Sequence, residues 1–173
     1  MFTRAAALVL MLLIATSGVP SGATAEQHGE DACVLLPLSA AQSVLPGAVA
    51  TSRASGTDTC DYNGRGTAGL QFVFIAATSP ARTEIARALV IKELKKASAT
   101  ITPVNHFGKG AFVVTGITKT VTPNIVTVTL WWVNGNHLYG LTLYTVFQSL
   151  TGAVSAVKKL GRSIEARILR PKG

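Results

Sequence analysis

Two cysteines, Cys33 and Cys60, are the side chains of this sequence best suited to covalent chemistry, and the sequence has no others. Their spacing is far too long for a Cys-x-x-Cys redox motif, and no histidine lies close enough to suggest a zinc knuckle. Two cysteines allow only one intramolecular pairing. In an oxidising compartment this predicts a structural disulfide, which would stabilise the fold by about 3–4 kcal/mol.

Histidines and carboxylates could supply acid–base or metal chemistry, but here they form no recognisable set. The histidines are His28, His106 and His137. Asp58 and Asp61 have structural roles instead, because Asp58 lies in a predicted turn and Asp61 in a predicted strand. No serine lies in a Gly-x-Ser-x-Gly turn, and no ligands share the close spacing of a metal site. The sequence therefore predicts no enzyme, no metal and no cofactor; a hydrolase that uses His106 is the least favoured alternative.

The start of the chain has the three parts of a secretory signal peptide. Arg4 provides the positive charge, Ala5–Ala15 is an apolar segment too short to span a bilayer, and Ala23-Thr24-Ala25 fits a cleavage site. Cys33 follows Glu30-Asp31-Ala32, whereas lipidation requires a small apolar run before the cysteine. We therefore expect export to the periplasm or the medium, without lipidation; an uncleaved anchor is the alternative.

Cleavage would divide the chain into three parts. These are a signal peptide over 1–25, a mobile polar start over 26–32 and one domain over 33–173. We expect no transmembrane segment after cleavage. The domain is long enough to bury a core without a metal or a partner.

The charge of the chain is basic and unevenly distributed. The formal net charge is +8, and it falls to +7 when Arg4 leaves with the leader. After Glu93 the only acid is Glu165, against ten lysines and arginines. Outside the cytoplasm such a surface suggests an anionic envelope component, such as lipid headgroups or wall polymers, and makes nucleic acid a poor candidate. The alternative is that the charge only keeps the fold soluble.

The first half of the domain reads as strands followed by a helix. Ser39 can cap a short helix over Ala40–Leu45. Strands are predicted over Ala48–Ser55, Thr59–Asn63 and Ala68–Ala77. Ser79-Pro80 begins a helix that runs to about Ala97. Its predicted apolar side consists of Ile85, Leu89, Val90 and Leu94.

The second half follows the same order. A strand is predicted over Ala111–Thr115, then a hairpin of Ile125–Val133 and Asn136–Phe147. Asn134-Gly135 suggests a type I′ turn, which would pair Val133 with Asn136 and Leu130 with Tyr139. The last helix runs from about Thr151 to Leu169. The expected fold class is α+β, with one antiparallel sheet packed by a short N-terminal helix and a longer C-terminal helix.

Two surfaces are candidates for binding. One face of the hairpin carries Trp131, Leu138, Gly140 and Tyr144, which could form a platform for a ligand or another protein. The alternative is that a helix or loop covers this face. The last helix offers a second, basic surface formed by Lys158, Lys159, Arg162 and Arg167.

Several short motifs resemble a family of small exported bacterial proteins of unknown function. Cys33-Val34-Leu35-Leu36 and Cys60-Asp61-Tyr62 are similar to its Cys-x-Leu-Leu and Cys-x-Tyr motifs. Phe107–Phe112 resembles its Gly-x-Gly-x-Ala-aromatic segment, although Lys109 and Gly110 replace a usual aspartate. The resemblance implies an antiparallel sheet with packed helices, akin to the PsbP-like fold. It implies no activity, and the lipid attachment of many relatives does not carry over.

These observations favour a non-catalytic binding or accessory protein of the cell envelope or secretome. Its partner is expected to be an anionic envelope component or another exported protein. The alternative is an inhibitor or effector of a secreted or host protein.

Overall fold

A seven-stranded antiparallel sheet packed by helices organises the chain, and this α+β architecture confirms the predicted fold class. The computed structural model describes residues 31–45, 47, 49–50, 58–66, 68–119, 124–146 and 148–169. The elements in chain order are α1 (Ala32–Leu35), α2 (Leu38–Gln42), β1 (Val49–Ala50), β2 (Thr59–Asn63), β3 (Gly69–Ala76), α3 (Pro80–Lys96), β4 (Thr100–Pro103), β5 (Lys109–Thr118), β6 (Ile125–Asn134), β7 (His137–Thr145) and α4 (Leu150–Ile168).

The strand order places the two ends of α3 far apart on the sheet. The order is β1-β2-β3-β7-β6-β5-β4, with every neighbouring pair antiparallel. Since β7, β6 and β5 lie between β3 and β4, the helix that connects β3 to β4 crosses one face of the sheet. We call that face the α3 face and the opposite face the α4 face.

The larger core lies between the α4 face and the helices α1, α2 and α4. Alternate residues of the strands point into it, as a half-buried strand requires. Trp132, Tyr139 and Phe72 lie at its centre, with the Trp132 and Tyr139 ring centroids 5.3 Å apart. The buried residues that cover them come from these helices and from the turns after α1 and α2, and include Leu35, Leu36, Ala41, Leu45, Ala153, Val157, Leu160 and Ile164.

Helix α1 has its own N-cap, and three further contacts hold it to the sheet and to α4. Asp31 caps the helix by accepting from the Cys33 N–H at 2.9 Å. Cys33 and Cys60 form the disulfide, as predicted, and so link α1 to β2. The Tyr62 hydroxyl donates to the Leu36 carbonyl at 2.7 Å, and Arg167 donates to the Leu35 carbonyl at 2.7 Å. These bonds satisfy carbonyls that the end of a helix leaves without internal partners.

Most predicted elements are present, and their differences have local causes. β2 is confirmed residue for residue, and β3, α3 and α4 begin and end close to the predicted positions. The predicted helix over Ala40–Leu45 is instead Leu38–Gln42, because Pro37 rather than Ser39 occupies the N-cap position. Of the strand predicted over Ala48–Ser55, only β1 lies within the described residues.

The second half holds two further differences. β4 was missed because it is a short, largely exposed edge strand that ends in proline. β5 is twice as long as the predicted segment, and a bulge between Lys109 and Phe112 accommodates Gly110 at a φ of 63°. Among the described helices, none has the combination of length and apolar composition needed to cross a bilayer.

The hairpin is present, but its predicted register is wrong by two residues. Asn134 pairs with His137, so the turn residues are Gly135 and Asn136. Gly135 has a φ of 57°, whereas Asn136 has no positive φ. A type I′ turn needs positive φ at both positions, while a type II′ turn needs glycine at the first. Because the shift is even, every side chain stays on its predicted face.

Helix α3 rests on the sheet with a different side from the predicted one. Thr83 and Val90 are buried, with Ala86 and Leu94 packed beside Val90. Of the predicted apolar side, Ile85 and Leu89 instead point away. The four sheet-facing residues follow one another at spacings of three or four. Ile85 directly precedes Ala86, and Leu89 directly precedes Val90. Each therefore lies about 100° around the helix from a sheet-facing residue.

Candidate functional site

The predicted hairpin platform is covered at one end by α3. Trp131 is 6% exposed and Leu138 is fully buried, and both pack in a cluster with Val90 of the helix. Gly140, the cross-strand partner of Trp131, is also buried. The alternative that a helix covers this face therefore holds for Trp131, Leu138 and Gly140. These residues lie in a second, smaller core. Tyr144 lies beyond this cluster and is half-buried.

A row of polar side chains crosses four strands next to the covered end. Asp61 pairs with Gln71, Gln71 with Thr142, and Thr142 with Thr129. All four residues are half-buried on the α3 face. We call Asp61, Gln71, Thr142 and Thr129 the polar strip. Strand pairing spaces such neighbours about 4.5–5.5 Å apart, so the strip presents hydroxyl, amide and carboxylate groups at regular intervals.

Two hydroxyls of the strip are already oriented by each other. The Thr129 and Thr142 Oγ1 atoms lie 3.0 Å apart in a hydrogen bond in which either can be the donor. A hydroxyl has one donor and two acceptor sites, so each keeps capacity for a further partner. The Gln71 side-chain amide makes no hydrogen bond within the described part of the chain.

Tyr144 borders the polar strip in the next row of the sheet. It pairs with Gly69 on one side and with Thr127 on the other. Burial raises the pKa of the Tyr144 phenol, and the negative charge of Asp61 raises it further. The phenol therefore stays protonated, so it can donate as well as accept a hydrogen bond.

The strip follows from the two-residue period of its strands. In β6, Thr127 and Thr129 alternate with the buried Val126, Val128 and Leu130. In β3, Gln71 stands between Leu70 and Phe72, which are buried on the α4 face. β2, β3, β6 and β7 contain no lysine or arginine. The strip is therefore a polar surface whose only formal charge is the Asp61 carboxylate.

The basic residues of α4 differ in their surroundings. Lys159 and Arg162 are exposed and Lys158 is half-buried, with no ion pair to an acid within the described residues. The Arg162 guanidinium lies 6.0 Å from the Phe107 ring centroid. Arg167 is instead bound to the Leu35 carbonyl. One donor of Arg167 thus serves the end of α1, while the basic surface of α4 stays a prediction.

A depression of about 360 Å³, which no sequence motif indicates, lies beside the hairpin turn. Its lining includes Glu84 and Glu165. Glu84 accepts from Arg87 at 2.8 Å and lies 3.4 Å from the Lys109 ammonium. The hydrogen bond from Arg87 is the main reason why the pKa of Glu84 is lowered, despite some opposing burial.

The second carboxylate of the depression also has a partner. Glu165 accepts from the Gly108 N–H at 2.7 Å. Both acids are thus engaged with groups of the protein itself. Gly108 N–H is the type of donor that would otherwise bind an anion, so the depression is a poor phosphate site.

The histidines lie apart from one another. His106 is exposed on the loop before β5 and has a φ of 66°, while the His137 ring packs edge-on against Phe74 with centroids 5.7 Å apart. His28 lies outside the described residues. Within the described ranges, no three histidine, cysteine or acidic side chains come together as a metal site would require.

Neither the protein-family models nor the curated proteins supply a relative for the chain. No protein-family model matches it, and no curated protein is significantly similar to it. A function therefore has to be inferred from the geometry of the described residues.

Proposed function

We propose that this chain is an exported, non-catalytic binding module of the cell envelope, and that the polar strip binds an uncharged carbohydrate. The observation that carries the proposal is the row of Asp61, Gln71, Thr142 and Thr129 across four strands of the sheet. A sheet holds such a row rigidly, so the protein loses less conformational freedom on binding than a flexible loop would.

The chemistry of the strip matches that of a sugar. Each sugar hydroxyl both donates and accepts, so it is best met by groups that do the same. The Thr129 and Thr142 hydroxyls and the Gln71 amide are of this type, and Asp61 adds an acceptor. The absence of lysine and arginine from these four strands favours a neutral ligand over an anionic one.

Tyr144 provides the apolar contact that a polar row lacks. Its half-buried ring lies in the row beside Thr142 and Thr129 and could pack against the C–H face of a sugar ring. Its protonated hydroxyl lies on the same side of the sheet. Tyrosine is suited to this role because it combines an apolar ring with a polar tip.

The leader-like start and the disulfide support export, because disulfides persist in oxidising compartments. We further propose that the chain belongs with the small exported bacterial proteins that it resembles, with a PsbP-like fold. The cysteine motifs and the order of sheet and helices support that assignment.

The test is a titration of the purified, oxidised protein with neutral hexasaccharides, including cellohexaose, maltohexaose and chitohexaose, followed by NMR. We expect one of them to shift the amide signals of Gln71, Thr129 and Thr142. The Thr129→Val/Thr142→Val variant should bind it about tenfold more weakly, since each lost neutral hydrogen bond removes about 0.5–1.5 kcal/mol.

The matched control is Thr102→Val, which removes an exposed hydroxyl from the edge strand β4. It should leave binding unchanged. The proposal is wrong if none of the hexasaccharides shifts the strip, or if the control and the double variant lose the same affinity. Unfolding curves of both variants check that the sheet is intact.

A further inference from the structure

The outward side of α3 carries two large apolar side chains that nothing in the described part of the chain covers. Ile85 is 60% exposed and Leu89 is 54% exposed, and they lie one turn apart. Single exposed apolar residues are ordinary on a protein surface. Here two neighbours share one helix face, because the opposite side of α3 already packs on the sheet through Val90.

Basic residues flank this apolar pair at both ends. Arg82 lies three positions before Ile85, and Lys92 lies three positions after Leu89, so all four share one side of the helix. Lys95 continues the basic end, and Arg82, Lys92 and Lys95 are all exposed. We call Arg82, Ile85, Leu89, Lys92 and Lys95 the outer stripe.

The acids of α3 do not neutralise the outer stripe. Glu84 pairs with Arg87 and Lys109, and Glu93 pairs with Lys96 at 2.7 Å. Within the described residues, no ion pair forms at the three cations of the stripe. Their charges are therefore available to an external anionic partner.

We infer that the outer stripe docks the protein on an anionic phospholipid bilayer, with Ile85 and Leu89 entering the headgroup boundary and the cations contacting lipid phosphates. Apolar side chains that leave water and cations that approach anionic headgroups both strengthen the attachment of a peripheral protein to a membrane, and the outer stripe offers both. A second copy of the chain is a poor occupant, because the formal net charge, +8 for the full chain and +7 without the leader, opposes contact between two basic stripes.

The inference concerns a different surface from the carbohydrate proposal and does not depend on it. The two surfaces are nevertheless related, because α3 and the polar strip lie on the same face of the sheet. Docking through α3 would hold the strip on the membrane-facing side of the molecule.

Vesicle sedimentation tests the inference. The oxidised protein is mixed with vesicles of phosphatidylcholine containing phosphatidylglycerol, and with vesicles of phosphatidylcholine alone, at low and high salt. We expect binding to the anionic vesicles that weakens with salt, and little binding to the neutral ones. Equal binding to both kinds of vesicle, or to neither, overturns the inference.

Two sets of variants locate the contact. Arg82→Gln/Lys92→Gln/Lys95→Gln should weaken binding at least about tenfold, since each cation near an anionic surface contributes measurably. The matched control, Lys158→Gln/Lys159→Gln/Arg162→Gln, removes the same charge from α4 on the opposite face and should have a much smaller effect. Equal weakening by both sets would show binding through net charge alone, and the inference would be wrong.

The apolar pair is tested separately. Ile85→Gln/Leu89→Gln should weaken binding about tenfold without loss of stability, because both side chains are already exposed to water. Thermal unfolding followed by circular dichroism checks that each variant folds. Unchanged vesicle binding by a folded Ile85→Gln/Leu89→Gln variant would exclude insertion.

Discussion

The indole of Trp131 lies over the backbone of its cross-strand partner Gly140. A Cβ placed on Gly140 would be 2.7 Å from Cζ3 and 2.8 Å from Cη2 of that ring. Trp131 is in turn covered by α3, so its ring has little room to move. The contact explains why a glycine stands in the middle of a buried strand, where it would otherwise weaken the sheet. Gly140 therefore serves packing rather than an open ligand platform.

Gly140→Ala should lower the free energy of unfolding by about 1–3 kcal/mol, because the indole or the strand has to shift. Urea unfolding measures the change. Gly116→Ala is the matched control. Gly116 lies in β5 on the same face of the sheet as Gly140, and an added Cβ would have no atom within 4 Å. It should be neutral or slightly stabilising. Equal losses in both variants would contradict the close contact with Trp131.

The Cys33–Cys60 disulfide should contribute about 3–4 kcal/mol to stability. Cys33→Ala/Cys60→Ala should therefore unfold at a lower urea concentration than the oxidised protein. Reductant should lower the stability of the parent chain and leave that of the variant unchanged. Thiol titration of denatured, unreduced protein should find no free thiol, and two free thiols would refute the bond.

Tyr144 should make the protein less stable at alkaline pH. Its pKa is raised in the folded state by burial and by Asp61, so folding favours the protonated phenol. The stability from this group is complete below the unfolded pKa of about 10 and is lost as pH rises through the folded pKa. Tyr144→Phe should show a shallower decline in the free energy of unfolding between pH 9 and pH 11. Parallel curves would contradict the raised pKa.

Arg167 should be a stabilising residue rather than a binding residue. Arg167→Met keeps the apolar stem and removes the donor to the Leu35 carbonyl, which should cost about 1.5–3 kcal/mol. Lys159→Met, at an exposed position, should change stability by less than about 0.5 kcal/mol. Chemical denaturation of the two variants makes the comparison. Similar stabilities would mean that the bond to α1 contributes nothing.

Local signals were sufficient for much of the fold. Ser79-Pro80 begins α3 because serine caps a helix and proline is tolerated in its first turn, and the structure has Ser79 as the N-cap. The alternation of β6 and β7 assigned their side chains to the right faces. The hairpin register needed more, because Asn134-Gly135 and Gly135-Asn136 are both plausible turns and pairing with the rest of the sheet selects between them.

The side of α3 that packs on the sheet could not be read from its sequence. Apolar residues occur on two sides of this helix, and Val90 rather than Leu89 meets the sheet. The choice depends on contacts with Trp131 and Leu138, which are more than 40 residues away along the chain. The polar strip was missed for the same reason, since its four members come from four strands and only strand pairing makes them neighbours.

The sequence by itself determined the disulfide partners, the fold class and the assignment of hairpin side chains to faces. These follow from cysteine number, from helix caps and from the two-residue period of strands, which are local properties. Only the tertiary structure decided which part of the α3 face the helix covers. That depends on the path of α3 from β3 to β4 across three intervening strands, and a path across the sheet is a property of strand order rather than of any one segment.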